Sequence, residues 1–151
     1  MIQIIAFEGL AITLTPWPVP THIRDKLLAK VRLPRNTFIW RDSFIKDGPE
    51  LTYTPTKLIV IAHSMGGATA IRWCNRHPTV VVDLLLTLDP RPLHRPYVRP
   101  KNVMHAVNFY QSFPLWGYSV QGAVNRKTKW GHTAVPGRPE VIKCLQDELD
   151  N

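Results

Sequence analysis

Apolar and polar positions along this chain follow two rhythms. Ile2 to Phe7 and Lys57 to Ala62 are short runs with almost no polar interruption, and Val80 to Leu88 and Val103 to Tyr110 are longer runs of the same kind. Such runs predict strands buried on both faces, as in a parallel sheet. Asn36 to Trp40 reads as a further strand. Elsewhere the spacing is helical. Thr21 can cap a helix in which Ile23, Leu27, Leu28 and Val31 share a face. Gly67 to Arg76 reads as a second helix, which Pro78 stops. Pro139 suits the first turn of a last helix, with Val141, Ile142, Leu145 and Leu149 on one side.

The 14 prolines gather in the connections, at Pro16, Pro18 and Pro20, at Pro90, Pro92, Pro96 and Pro100, and at Pro136 and Pro139. No internal repeat or low-complexity stretch interrupts the pattern. Alternating strands and helices predict an α/β fold, a three-layer α/β/α sandwich with a mainly parallel central sheet of about five strands. With 151 residues and 44% hydrophobic content, the chain is expected to form one domain over residues 1–151 with a real core. No apolar run reaches the ~20 residues that a bilayer span requires. Met1 to Glu8 lacks the basic start and cleavage site of a secretory signal, so a cytoplasmic protein is expected. Cys74 and Cys144 fall in predicted helices and read as core side chains rather than a disulfide.

Charge changes the picture in one place. The formal net charge is +8. Residues 90–139 hold no acidic residue but carry Arg91, Arg95, Arg99, Lys101, Arg126, Lys127, Lys129 and Arg138, so this segment accounts for the whole excess. Either it is a solvated surface or it meets an anionic partner. A nucleic-acid module is not favoured, because no helix-turn-helix, zinc spacing or RNP-like aromatic motif accompanies the charge.

In a parallel sheet with right-handed crossovers, ligand sites lie at the carboxyl ends of the strands. Chemistry is therefore sought after each strand. The third strand runs into Ala62-His63-Ser64-Met65-Gly66-Gly67, a strand, a serine and a helix with almost no loop. Such a turn forces the serine into a strained backbone and exposes its Oγ, and it needs small residues on either side, here Ala62 and Gly66. The helix start behind Ser64 places its dipole and N–H groups at the nucleophile, and the Met65 N–H is a candidate oxyanion donor. The bland alternative for Ser64 is an ordinary helix cap.

The next strand ends at Leu88-Asp89-Pro90, which puts Asp89 on the same edge as Ser64. Asp83 comes too early, on the opposite side. His132, in Trp130-Gly131-His132-Thr133, lies in a loop before the last helix and is free to reach both. His63 adjoins Ser64 but is expected to point away from its Oγ. His22 and His77 fall in helices, His94 in the proline-rich loop and His105 in a strand.

With these residues in place, the chain resembles the α/β-hydrolase superfamily in its lipase/esterase branch. Lys57 to His77, with its His-Ser-Met-Gly-Gly core, is similar to the family's nucleophile elbow. Leu88-Asp89-Pro90 is similar to the acid position of the neutral lipases, and Gly131-His132-Thr133 to the base before the last helix. The resemblance runs from the first strand to Leu149 and implies Ser64 as nucleophile, Asp89 as acid and His132 as base, with no metal or organic cofactor. The chain departs from the family by lacking two preceding strands and a lid of useful size. Its segment after the first strand is Phe7-Glu8-Gly9-Leu10, where the Gly9 or Leu10 N–H is the expected second oxyanion donor and Glu8 must point away from it.

The expected activity is cleavage of a small-molecule or lipid-like carboxylic ester through an acyl-enzyme. Alternatives are a thioesterase with the same triad, or a non-catalytic hydrolase-like scaffold that binds an anionic partner. Trp116, Tyr118 and Trp130 are candidates for an acyl pocket, or else simple packing aromatics. The basic segment, beginning at Arg91, leaves the sheet near Asp89 and returns at His132. It is therefore expected to rim the site and to favour anionic substrates or anionic lipid surfaces.

Overall fold

The structure is a computed structural model that describes residues 1–9, 21–91, 97–111, 118–129 and 131–151. Leu10, Trp116 and Trp130 lie outside the described residues, as do Arg95 and the rest of residues 92–96 in the proline-rich loop. Among the described residues six strands form one sheet, β1 (Ile2–Glu8), β2 (Thr37–Ser43), β3 (Lys57–His63), β4 (Val82–Leu88), β5 (Val103–Gln111) and β6 (Val124–Thr128). Their order is β2-β1-β3-β4-β5-β6 and every pairing is parallel. The expected count of about five strands is corrected to six. The strand that periodicity missed is β6, whose sequence Val-Asn-Arg-Lys-Thr is mostly polar and whose first four residues are exposed. An edge strand pairs on one side only and needs no apolar run.

Two helices pack on this sheet, α1 (Gly66–Arg76) and α2 (Pro139–Asp150). Side chains alternate between the two faces of each strand. Ile4, Ala6, Ile59, Ile61, Leu84, Leu86 and Phe109 gather with Val141, Leu145 and Leu149 of α2, and with Ile23 and Leu27. Ile5, Phe7, Leu58, Val60 and Leu85 gather with Ala70, Trp73 and Cys74 of α1. Each face thus has its own buried core, and each fully buried Leu, Ile or Phe contributes roughly 1.5–3 kcal/mol. Burial pushes the Cys74 thiol up to about 12, so it behaves as an apolar side chain. Among the described residues no helix is long and apolar enough to cross a membrane.

The helix expected after Thr21 takes another form. His22–Leu27 is a wide helical turn, and Leu28–Lys30 tightens into a 3-10 turn. Thr21 makes no side-chain cap. Its place is taken by Glu8, whose carboxylate accepts from the Ile23 and Arg24 N–H groups at 3.1–3.3 Å. A cap supplied from the end of β1 cannot be seen in the sequence of the helix itself.

One close approach fixes how α1 meets the sheet. A Cβ added at Gly66 would lie 2.2 Å from the Phe7 carbonyl oxygen, which belongs to the neighbouring central strand. Neither backbone can give way cheaply. Gly66→Ala is therefore expected to destabilise the fold by about 3 kcal/mol, the upper end for overpacking. A urea-unfolding midpoint matching that of the wild type would contradict this close fit.

Candidate active site

The chain leaves β1 towards one edge of the sheet to form β2, crosses back to β3, and then proceeds towards the other edge. The reversal lies between β1 and β3, where open α/β sheets leave a crevice beyond their carboxyl ends. Gly9 follows β1 at that point, and Ser64 follows β3. They are in direct contact, since a Cβ on Gly9 would fall 2.5 Å from Ser64 Cβ and 3.1 Å from Ser64 Oγ. Only glycine fits there, which keeps the backbone after β1 against the serine.

Ser64 has φ 57°, the left-handed region that costs a non-glycine residue about 1–2 kcal/mol. The surroundings hold it there. Its N–H donates to the Leu88 carbonyl at 3.1 Å, and its own carbonyl accepts from Gly67 and Arg91 N–H at 3.1 and 2.9 Å. The sharp turn is thus tied to the end of β4. Met65 follows as the first residue of the helix end, with no side chain capping it. Its N–H belongs to the turn whose donors have no partner within the helix.

Asp89 also has positive φ, at 46°, and is fully buried. Its carboxylate gathers donors from three directions. His132 Nδ1 lies 2.5 Å from Oδ2, Gln111 Nε2 donates to the same oxygen at 2.8 Å, and the Gln111 N–H donates to Oδ1 at 3.1 Å. The Arg91 guanidinium stands 3.6 Å away. A carboxylate only accepts, so His132 Nδ1 carries the proton and Nε2 is the nitrogen left to act as a base. Among the described residues no hydrogen bond joins His132 to Ser64 Oγ. The structure therefore brings Asp89 and His132 together directly and sets Gly9 against Ser64, while the serine–histidine link is not made.

His132 sits in a turn closed by the Ala134 N–H on the Gly131 carbonyl at 2.8 Å. Lys26 Nζ donates to the next carbonyl, that of Thr133, at 2.6 Å. His63 Nε2 lies 3.0 Å from the His132 carbonyl oxygen, and the two rings stack at 4.6 Å with 29° between their planes. His22 meets His63 in an edge-to-face arrangement at 5.2 Å. Burial, more than the nearby His132, pushes His63 down to about 3. Burial also lowers His22, with Lys26 and His132 adding to it. Among the described residues no cluster of three or more His, Cys, Asp or Glu side chains could hold a metal.

Glu8 does point away from Gly9, into its contacts with Ile23, Arg24 and, at 3.7 Å, Arg41. Burial outweighs these favourable partners and pushes its carboxyl up to about 7. A carboxyl raised in the folded state binds its proton more tightly than in the unfolded chain. Its contribution to stability is therefore full below the unfolded value, near 4.5, and is lost as pH rises through 7. The loss is expected to reach at most about 3 kcal/mol. Glu8→Gln should flatten the urea midpoint between these limits, whereas a wild-type midpoint that rises across the same range would contradict it.

The remaining expected residues divide. Arg91 backs Asp89, so its side chain serves the acid. Tyr118 packs with Ala68, Tyr97 and Val120, and its carbonyl accepts from Asn108, an arrangement that serves packing beside α1. The described residues of the basic segment are spread over the sheet, and Arg91 adjoins Ser64, its N–H donating to the Ser64 carbonyl. Arg99 lies before β5, at the amino edge of the sheet, and donates to the Met104 carbonyl. Arg126 lies on β6 over the Phe109 ring, at 5.5 Å. β6 stands three strand spacings from β3, about 14 Å. The polarity-based reading overlooked Gln111 and the contacts of His63. Gln111 ends β5 on the same edge as Asp89, so extending the search to that strand end would have found it. Nothing in the sequence marks His63 as a partner of residue 132. No protein-family model and no curated protein matches the chain.

Proposed function

We propose that this protein is a serine hydrolase that cleaves a carboxylic ester. On this reading it is a lipase/esterase-like member of the α/β-hydrolase superfamily in a minimal three-layer form. The observation that carries the reading is the Asp89–His132 hydrogen bond. It joins residues 43 positions apart, at the sheet edge where a strained serine already stands. A fully buried acid and a loop histidine are not needed for packing, and their pairing beside a nucleophile elbow is what acyl transfer requires. The strand-order reversal between Gly9 and Ser64 supports the same edge as the binding crevice.

In the proposed reaction Ser64 Oγ attacks the acyl carbon while its proton passes to His132 Nε2. Asp89 holds the tautomer and stabilises the imidazolium. The Met65 N–H and an N–H of the Gly9–Leu10 segment receive the oxyanion. His132 then protonates the departing alcohol, and water, deprotonated by the same nitrogen, releases the acid. The substrate class is a small-molecule or lipid-like ester. Anionic esters fall within this class.

The missing Ser64–His132 hydrogen bond favours a second reading, a non-catalytic scaffold. Catalytic contacts are often long before substrate arrives, which keeps the first reading ahead. The test is a fluorophosphonate probe read by intact mass. One adduct on the wild type and none on Ser64→Ala is expected. No adduct on folded wild-type protein would give the site to the scaffold reading.

A further inference from the structure

We propose that His63 is a positioning residue that holds His132 for catalysis, clamping its main chain with one hydrogen bond and its ring with a stack. The inference rests on the serine-hydrolase reading for its purpose, but its geometry stands apart from it. A hydrogen bond from Asp89 to Nδ1 fixes one corner of the His132 ring and leaves the ring free to pivot about that contact. Stacking at 4.6 Å and 29° removes the pivot by covering one face. The same side chain reaches the His132 carbonyl at 3.0 Å, and because a carbonyl only accepts, His63 Nε2 must carry the proton.

The choice of residue argues for the role. His63 Nδ1 is buried and has no hydrogen-bond partner among the described residues. Leaving a buried polar atom unpaired is unfavourable, so an apolar side chain at the end of β3 would suit stability better. An apolar side chain cannot donate to the His132 carbonyl. Burial keeps His63 neutral at any ordinary pH. It therefore adds no positive charge beside the imidazolium that His132 becomes. Because His63 precedes Ser64 in the chain, the base is held against the same rigid turn that holds the nucleophile.

The experiment compares wild type, His63→Ala, His63→Gln and His63→Phe by proton NMR and by the rate of fluorophosphonate labelling. The readout is the downfield resonance of the His132 Nδ1 proton shared with Asp89. It should be sharp in the wild type and broadened or lost in His63→Ala. His63→Gln, which keeps an N–H at the donor position but has no ring to stack, should restore it only in part. Labelling should fall by about tenfold or more in His63→Ala and recover only in part in His63→Gln, as misplacement of a catalytic group predicts. Should His63→Ala fail to fold, His63→Phe, with the stack but no donor, and His63→Gln, with the donor but no stack, divide the clamp. Wild-type resonance and labelling in both overturn the proposal. So does a wild type without the resonance, or a folded His63→Ala that retains it. A wild type that shows the resonance but never labels overturns the hydrolase reading while leaving the clamp in place.

Discussion

Replacing Ser64 by alanine is expected to lower ester turnover by about six orders of magnitude, the scale on which a triad nucleophile acts. The fold should be unaffected. Ser64 Oγ makes no hydrogen bond among the described residues, so truncation leaves no partner stranded. The backbone is what carries strain, with φ at 57°. Ser64→Ala keeps that strain, whereas Ser64→Gly relieves it. The glycine variant should be equally inactive and about 1 kcal/mol more stable than the wild type. Turnover near the wild-type level in either variant would remove Ser64 from the chemistry. A glycine variant less stable than the alanine variant would remove the strain.

Asp89→Asn is expected to slow the same reaction by about four orders of magnitude, by the logic of a base held in the wrong tautomer. Asp89 faces three donors, His132 Nδ1, Gln111 Nε2 and the Gln111 N–H. An amide has one accepting oxygen and brings an NH2 group of its own. Turned one way its NH2 meets the Gln111 N–H, and turned the other way it meets both His132 Nδ1 and Gln111 Nε2. The cheapest escape is for His132 to carry its proton on Nε2, where it cannot take the proton of Ser64. Asparagine tolerates the left-handed backbone at this position, so the fold should survive. Steady-state turnover with circular dichroism as the folding control decides it. A loss of tenfold or less would mean that Asp89 only packs.

The central strands were legible because they are apolar on both faces, and the registry that follows from them put Ser64 and Asp89 on one edge. Asp83, excluded as lying at the wrong end, indeed accepts from the Leu58 N–H near the start of β3. Legibility failed where a residue's partner is remote. β6 is polar because it needs to pair only with β5. The turn at His22–Leu27 is capped by Glu8, 15 residues earlier. His63 binds a carbonyl 69 residues later. Neither contact leaves a local pattern, since a backbone group can be met by any donor the fold delivers. The scatter of the basic segment was hidden for a related reason. Residues near in sequence were assigned to one place, but β5 runs the length of the sheet between Arg99 and Gln111.

The β2-β1-β3 strand order also fixes when the site can exist during synthesis. β1 emerges before both of the strands that flank it, so its apolar residues must wait for residue 63 before both sides are paired. Non-local pairings of this kind form slowly. The serine turn, tied to Leu88 and Arg91, needs residue 91 as well, while the Asp89–His132 pair needs residue 132. A nascent chain still lacking the segment before α2 should therefore hold a formed serine turn and no Asp89–His132 pair. The Asp89–His132 pair would form only after most of the sheet is committed.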